Sequence, residues 1–110
     1  MNELRKRWLE ALRSGKYEQG TDALRREEKF CCLGVLCDIY DPSGWKGVSE
    51  GLIGGNRIHI EGSHTLPAKE VMDAVGLNAA QASGLAGMND RGTSFTVIAH
   101  ELEAIFKATP

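Results

Sequence analysis

The stretch that most constrains this chain is Lys29-Phe30-Cys31-Cys32-Leu33-Gly34-Val35-Leu36-Cys37-Asp38-Ile39-Tyr40, its one long apolar run and the place where all three cysteines fall. Such a run demands burial. At 110 residues the chain can build one core around it, removing from water roughly two-thirds of the surface an unfolded chain of this size exposes. Segments of helical period flank the run on both sides. The expected architecture is therefore α+β: a small, helix-dominated single domain over residues 1–110, with a short β-hairpin or small antiparallel sheet.

Taken in order, Asn2 is a good helix cap, and Leu4, Trp8, Ala11 and Leu12 share one face of a helix that runs to about Ser14 and stops at Gly15. Ala23 to Arg26 and Lys29 to Cys32 read as two extended arms around Glu27-Glu28. The apolar run turns helical from Leu33 to Tyr40, with Asp38 off its apolar face, and Asp41-Pro42-Ser43-Gly44 ends it. Leu66-Pro67 opens a third helix carrying Val71, Met72 and Val75 up to Gly76. Ala79 to Met88 is a short helix, Asn89-Asp90-Arg91-Gly92 a turn, and Thr93 or Ser94 caps a last helix bearing Phe95, Ile98, Leu102, Ile105 and Phe106.

Composition removes several classes of function. No apolar run reaches the roughly 20 residues a membrane span needs, so a soluble protein without a membrane partner is expected. The start, Met-Asn-Glu-Leu-Arg-Lys-Arg-Trp, has charge but no apolar segment behind it, unlike a secretory signal. Three cysteines, two of them adjacent, suit a reducing cytoplasm better than a disulfide framework. A net charge of −2 argues against nucleic acid as a partner, because phosphate-backbone binding runs on Lys and Arg. Eight of the thirteen basic residues do fall between Arg5 and Lys29, but five acidic residues share that stretch and Glu3 just precedes it, which reads as a solvated surface of mixed sign.

Cys32 and Cys37, like His59 and His64, are separated by four residues, a spacing zinc sites use. On a helix, however, positions five apart lie about 140° round the axis, so the two thiols diverge. No metal and no cofactor is expected. A nucleophilic thiol with His59, His64 or His100 as its base needs an exposed sulfur, and Cys31 is the candidate, since adjacent residues in an extended segment face opposite sides. His59-Ile60-Glu61 matches half of a zinc deaminase signature whose second half, Pro-Cys-x-x-Cys, is missing. Gly15-Lys16 is not a phosphate loop, because Glu10 stands where the first glycine is required.

Residues 43–66 are interrupted by Gly44, Gly47, Gly51, Gly54, Gly55 and Gly62, and a long connection of this kind is where binding is first sought. Gly54-Gly55-Asn56-Arg57 offers backbone N–H groups and a guanidinium to an anion. Arg57-Ile58-His59-Ile60-Glu61 alternates, which predicts a strand with Arg57, His59 and Glu61 on its wet face.

The whole chain resembles a set of uncharacterised small proteins of tailed bacteriophages and prophages. The resemblance lies in Trp8 to Tyr17, in Cys31-Cys32-Leu33-Gly34-Val35-Leu36-Cys37-Asp38, in Leu66-Pro67 with Val71, and in Met88-Asn89-Asp90 with Gly92, Ser94-Phe95 and Ile98-Ala99. It implies no catalytic residue. It does imply a setting, the cytoplasm of an infected host, where small acidic phage proteins often act as counter-defence factors by binding something. The expected function is sequestration of a nucleotide-derived host immune signal in a preformed pocket, without catalysis. Arg57, His59, Asn89 and Arg91 are the candidate phosphate and base contacts, and Tyr17 or Trp45 the stacking surface. A face that inhibits a host defence protein is the alternative, and a small thiol- or histidine-dependent enzyme a further one. A homodimer is expected because closed two-fold assemblies are the commonest.

Overall fold

A computed structural model of the chain describes residues 2–46, 58–62 and 66–108. Within them the apolar run forms the central helix, α2 (Cys32–Tyr40), whose residues Cys32 to Cys37 are all buried. Cys31 caps it, its Sγ accepting the amide of Gly34 at 3.4 Å. Both adjacent thiols are therefore buried, Cys31 at 5% exposure and Cys32 at none, and the expected outward-facing Cys31 is not found. Cys31 is still extended, but as the N-cap its side chain turns back onto the first turn of the helix that begins at Cys32, so the alternation of a strand does not continue through the pair. Gly34 is required by proximity, since a Cβ there would stand 1.7 Å from the carbonyl oxygen of Leu24.

Helix α1 (Glu3–Ser14) runs between the boundaries its cap and stop residues predict: Asn2 accepts the Arg5 amide at 2.7 Å, and Gly15 takes the left-handed conformation at φ 76°. It buries Trp8, Leu9 and Leu12. The Trp8 indole donates to the Cys32 carbonyl at 2.9 Å, and its ring lies 6.1 Å from Phe106. Arg5 is buried with them, donating from Nε to the Val75 carbonyl at 2.9 Å with its guanidinium 4.4 Å over Phe106. One of the eight clustered cations thus belongs to the core and not to the solvated surface.

Helix α3 (Lys69–Val75) begins two residues after Pro67, where the Ala68 carbonyl accepts the first intrahelical amides, and ends at Gly76. Helix α4 (Ala79–Asp90) opens on a reciprocal capping box between Asn78 and Gln81. It continues through Asn89 and Asp90, which composition assigns to a turn, because the Asn89 amide is held by partners far away in sequence. Helix α5 (Phe95–Ala108) starts with the Ser94 hydroxyl accepting the Val97 amide and buries Phe95, Ile98, Ala99, Leu102 and Phe106. It packs on α1, where Arg13 and Glu103 pair at 3.2 Å, while α2 lies against α1, α3 and α4.

The strands are two residues each. The predicted hairpin pairs β2 (Arg25–Arg26) with β3 (Lys29–Phe30) in antiparallel register, and β1 (Glu18–Gln19) adds to β3 in parallel. A separate parallel pair joins β4 (Trp45–Lys46) to β5 (His59–Ile60). The fold is α+β and dominated by helix, with the sheets as small attachments. Among the described residues no helix is long and apolar enough to cross a membrane.

Candidate functional site

His59, which the alternation places on the wet face of its strand, is buried instead, while Ile58, Ile60 and Glu61 are half-buried. His59 is 1% exposed, because the parallel pairing sets it opposite Trp45, whose ring lies 4.9 Å away, and the Gly44 backbone closes over the imidazole. His59 Nε2 lies 3.0 Å from the Asp41 carbonyl, an acceptor, so Nε2 carries the proton and Nδ1 is left as an acceptor with no hydrogen-bond partner among the described residues. Burial lowers the imidazole pKa, against the opposing influence of Asp41 and Asp38. Glu61 pairs with Arg25 at 3.0 Å, and Arg57, His64 and Gly54-Gly55-Asn56 lie outside the described residues.

Trp45 is equally enclosed, at 6% exposure. Besides His59 it meets the edge of Phe30 at 6.0 Å and the guanidinium of Arg25 at 4.9 Å, and its indole donates to Asp38 Oδ1 at 3.0 Å. The other carboxylate oxygen, Asp38 Oδ2, accepts the hydroxyl of Tyr17 at 2.7 Å. Asp38 therefore ties the chain after α1 to β4. Burial first, then the hydrogen bond to Asp38, pushes the Tyr17 pKa up to about 12, with the Arg7 guanidinium acting in the other direction.

Of the six candidate residues, the structure joins Tyr17, Trp45 and His59 into one aromatic chain with Phe30 and places the other described two elsewhere. Asn89 is fully buried: its Oδ1 accepts from the Cys32 amide at 3.1 Å and from Gln19 Nε2 at 2.9 Å, and its Nδ2 donates to the Gly20 carbonyl at 2.7 Å. Its amide is fully engaged in holding the fold together. Arg91 is exposed just past the end of α4, leaning back toward Gly87.

Tyr17 lines an open groove in the described surface. This groove, of about 360 Å³, runs beside the C-terminal half of α1 and is lined by Arg7, Glu10, Ala11, Ser14, Lys16, Tyr17 and Ile39. Four of these are spaced i, i+3, i+4, i+7 on α1, one stripe of the helix that borders its core face at Ala11; the stop at Gly15 then turns Lys16 and Tyr17 across its end. Ala11, Tyr17 and Ile39 are half-buried and form an apolar floor, while Arg7 and Lys16 are exposed cations without an ion pair or hydrogen-bonded side-chain partner among the described residues. The helical spacing from Arg7 to Ser14 was a signal available in the sequence; the contribution of Ile39 was not. A second groove, of about 340 Å³, lies over the hairpin and is lined by Gln19, Gly20, Thr21, Arg26, Glu27 and Lys29.

The three thiols are free and buried, and burial raises the pKa of each. His100 is exposed on α5. Among the described residues no cluster of three or more His, Cys, Asp or Glu is arranged to hold a metal ion.

Residues 1–78 match the family described as Domain of unknown function (DUF8296). The chain belongs to this family. The family segment carries α1, α2, α3 and both small sheets, so every residue lining the α1 groove lies inside it, while α4 and α5 lie beyond. No curated protein and no solved structure matches the chain.

Proposed function

We propose that this is a phage accessory protein that works by binding, sequestering a small nucleotide-derived immune signal in the host cytoplasm. The observation that carries this reading is the α1 groove. It joins two uncommitted cations to an apolar floor that contains an aromatic ring, the combination of a few polar groups on an apolar surface that small-molecule sites use. The state of the thiols supports binding over thiol chemistry. A nucleophilic cysteine needs an accessible thiolate, and here burial holds all three sulfurs in the protonated form.

The test is a thermal-stability screen of the full chain against mono-, di- and cyclic nucleotides. A ligand at 100 times its dissociation constant adds about 2.7 kcal/mol to stability, a clear rise in melting temperature. A flat response across the whole set contradicts sequestration. Stoichiometric recovery of one host protein by the immobilised chain would then support inhibition of a defence protein instead.

A further inference from the structure

We infer that the groove between α1 and α2 takes a single phosphate-bearing aromatic molecule of nucleoside monophosphate type, with Arg7 and Lys16 on the phosphate and Tyr17 and Ile39 under the planar group. The assignment rests on the sequestration reading and names its site. The cations come first. Arg7 stands about two turns before Ser14 on the exposed side of α1, Lys16 follows the helix stop, and neither has a side-chain partner among the described residues. The other arginines near this region are committed. Arg5 is buried against Phe106, Arg13 is paired with Glu103, and Arg25 is paired with Glu61. Guanidinium and ammonium groups facing one concavity make charge-assisted bonds to phosphate oxygens.

The floor selects the rest of the ligand. The Tyr17 ring cannot swing away, because its hydroxyl is fixed on Asp38 at 2.7 Å and its ring is held edge-on to Phe30 at 4.9 Å. A preformed ring beside Ile39 and Ala11 offers a flat apolar seat at little ordering cost. Glu10 is the one carboxylate lining the groove. It repels a second phosphate beside it and accepts a hydroxyl or amino donor of the ligand. A volume of about 360 Å³ lies at the lower end of small-molecule sites, which fits one nucleotide and not an oligonucleotide.

The experiment is an amide NMR titration of the full chain with adenosine monophosphate, adenosine and inorganic phosphate in turn. Adenosine monophosphate is expected to shift the amides of Arg7 to Tyr17 and of Ile39, and to bind at least tenfold more tightly than either fragment. Arg7→Gln and Lys16→Gln should each weaken it about tenfold, the worth of one charge-assisted bond, while leaving the melting temperature of the free protein unchanged. Lys29→Gln, in the hairpin groove, should bind as the native chain does. Equal affinity of the Arg7→Gln, Lys16→Gln double variant overturns the groove assignment while sequestration stands. Phosphate binding as tightly as the nucleotide overturns the ligand class. Absence of binding by every nucleotide tested removes the sequestration reading and the groove assignment together.

Discussion

Asn89 Oδ1 lies 3.1 Å from the backbone nitrogen of Cys32 and accepts its N–H, joining the last turn of α4 to the first turn of α2 across the core. The same oxygen accepts from Gln19, and Asn89 Nδ2 donates to Gly20, so one buried amide fixes two helices and β1. Asn89→Ala leaves the Cys32 amide and the Gly20 carbonyl unsatisfied away from water, at a cost of about 3 kcal/mol. Urea unfolding should show a lower midpoint with an unchanged slope. A loss below about 1 kcal/mol would mean that water replaces the amide at this position.

Two glycines of helical backbone should respond in opposite ways. At Gly34 a Cβ would penetrate the Leu24 carbonyl, and Gly34→Ala is expected to prevent native folding, seen as loss of the cooperative thermal transition. At Gly84 a Cβ meets nothing within 4 Å. Gly84→Ala should therefore stabilise the chain by about 1 kcal/mol, the helix-propensity difference. A lower melting temperature for Gly84→Ala would show instead that this face of α4 is covered by another molecule in solution.

The hairpin turn carries glutamates where the backbone favours other residues. Glu27 and Glu28 sit at φ 52° and 65°, both left-handed, in a two-residue connection. Such a turn prefers Asn-Gly, and left-handed backbone costs most residues roughly 1 kcal/mol each. Glu27→Asn with Glu28→Gly should raise stability by about 1 to 2 kcal/mol, read from the melting temperature. No gain would indicate that other contacts of the glutamates offset the strain.

The ends of the chain's helices were legible because their signals are local. Asn2 and Gly15 bound α1, Ser94 caps α5, and Gly76 stops α3 by short-range chemistry that a sequence displays. What lay beyond it was set by residues distant in the chain. The face of His59 is decided by pairing with Trp45 and by the Gly44 backbone, and the helicity of Asn89 by Cys32 and Gly20. The burial of Arg5 requires Val75 and Phe106. The candidate site suffered most from this. Trp45 and His59 have the residue types of a binding site, yet they form the packed underside of the β4–β5 pair. Tyr17 faces a groove, beside Arg7 and Lys16, which the mixed charge of the region concealed.

His59 should make stability depend on pH in a defined direction. Its folded-state pKa is lowered below the ordinary value of 6.5, chiefly by burial, so the unfolded chain takes up the proton first. The contribution of the neutral ring is full above pH 6.5, falls as pH drops below it, and levels off once pH passes the folded-state pKa. His59→Leu should flatten this limb of the stability profile below pH 6.5. An identical acid limb in the variant would place the titration on other groups.

The most direct measurement is native mass spectrometry of the protein purified gently from cells in which the signalling nucleotides of host defence are being made, followed by the same sample under denaturing conditions. Sequestration predicts a native mass exceeding the chain or its oligomer by one nucleotide-sized ligand per site, lost on denaturation. A bare mass, with no ligand recovered in the denatured sample, contradicts it.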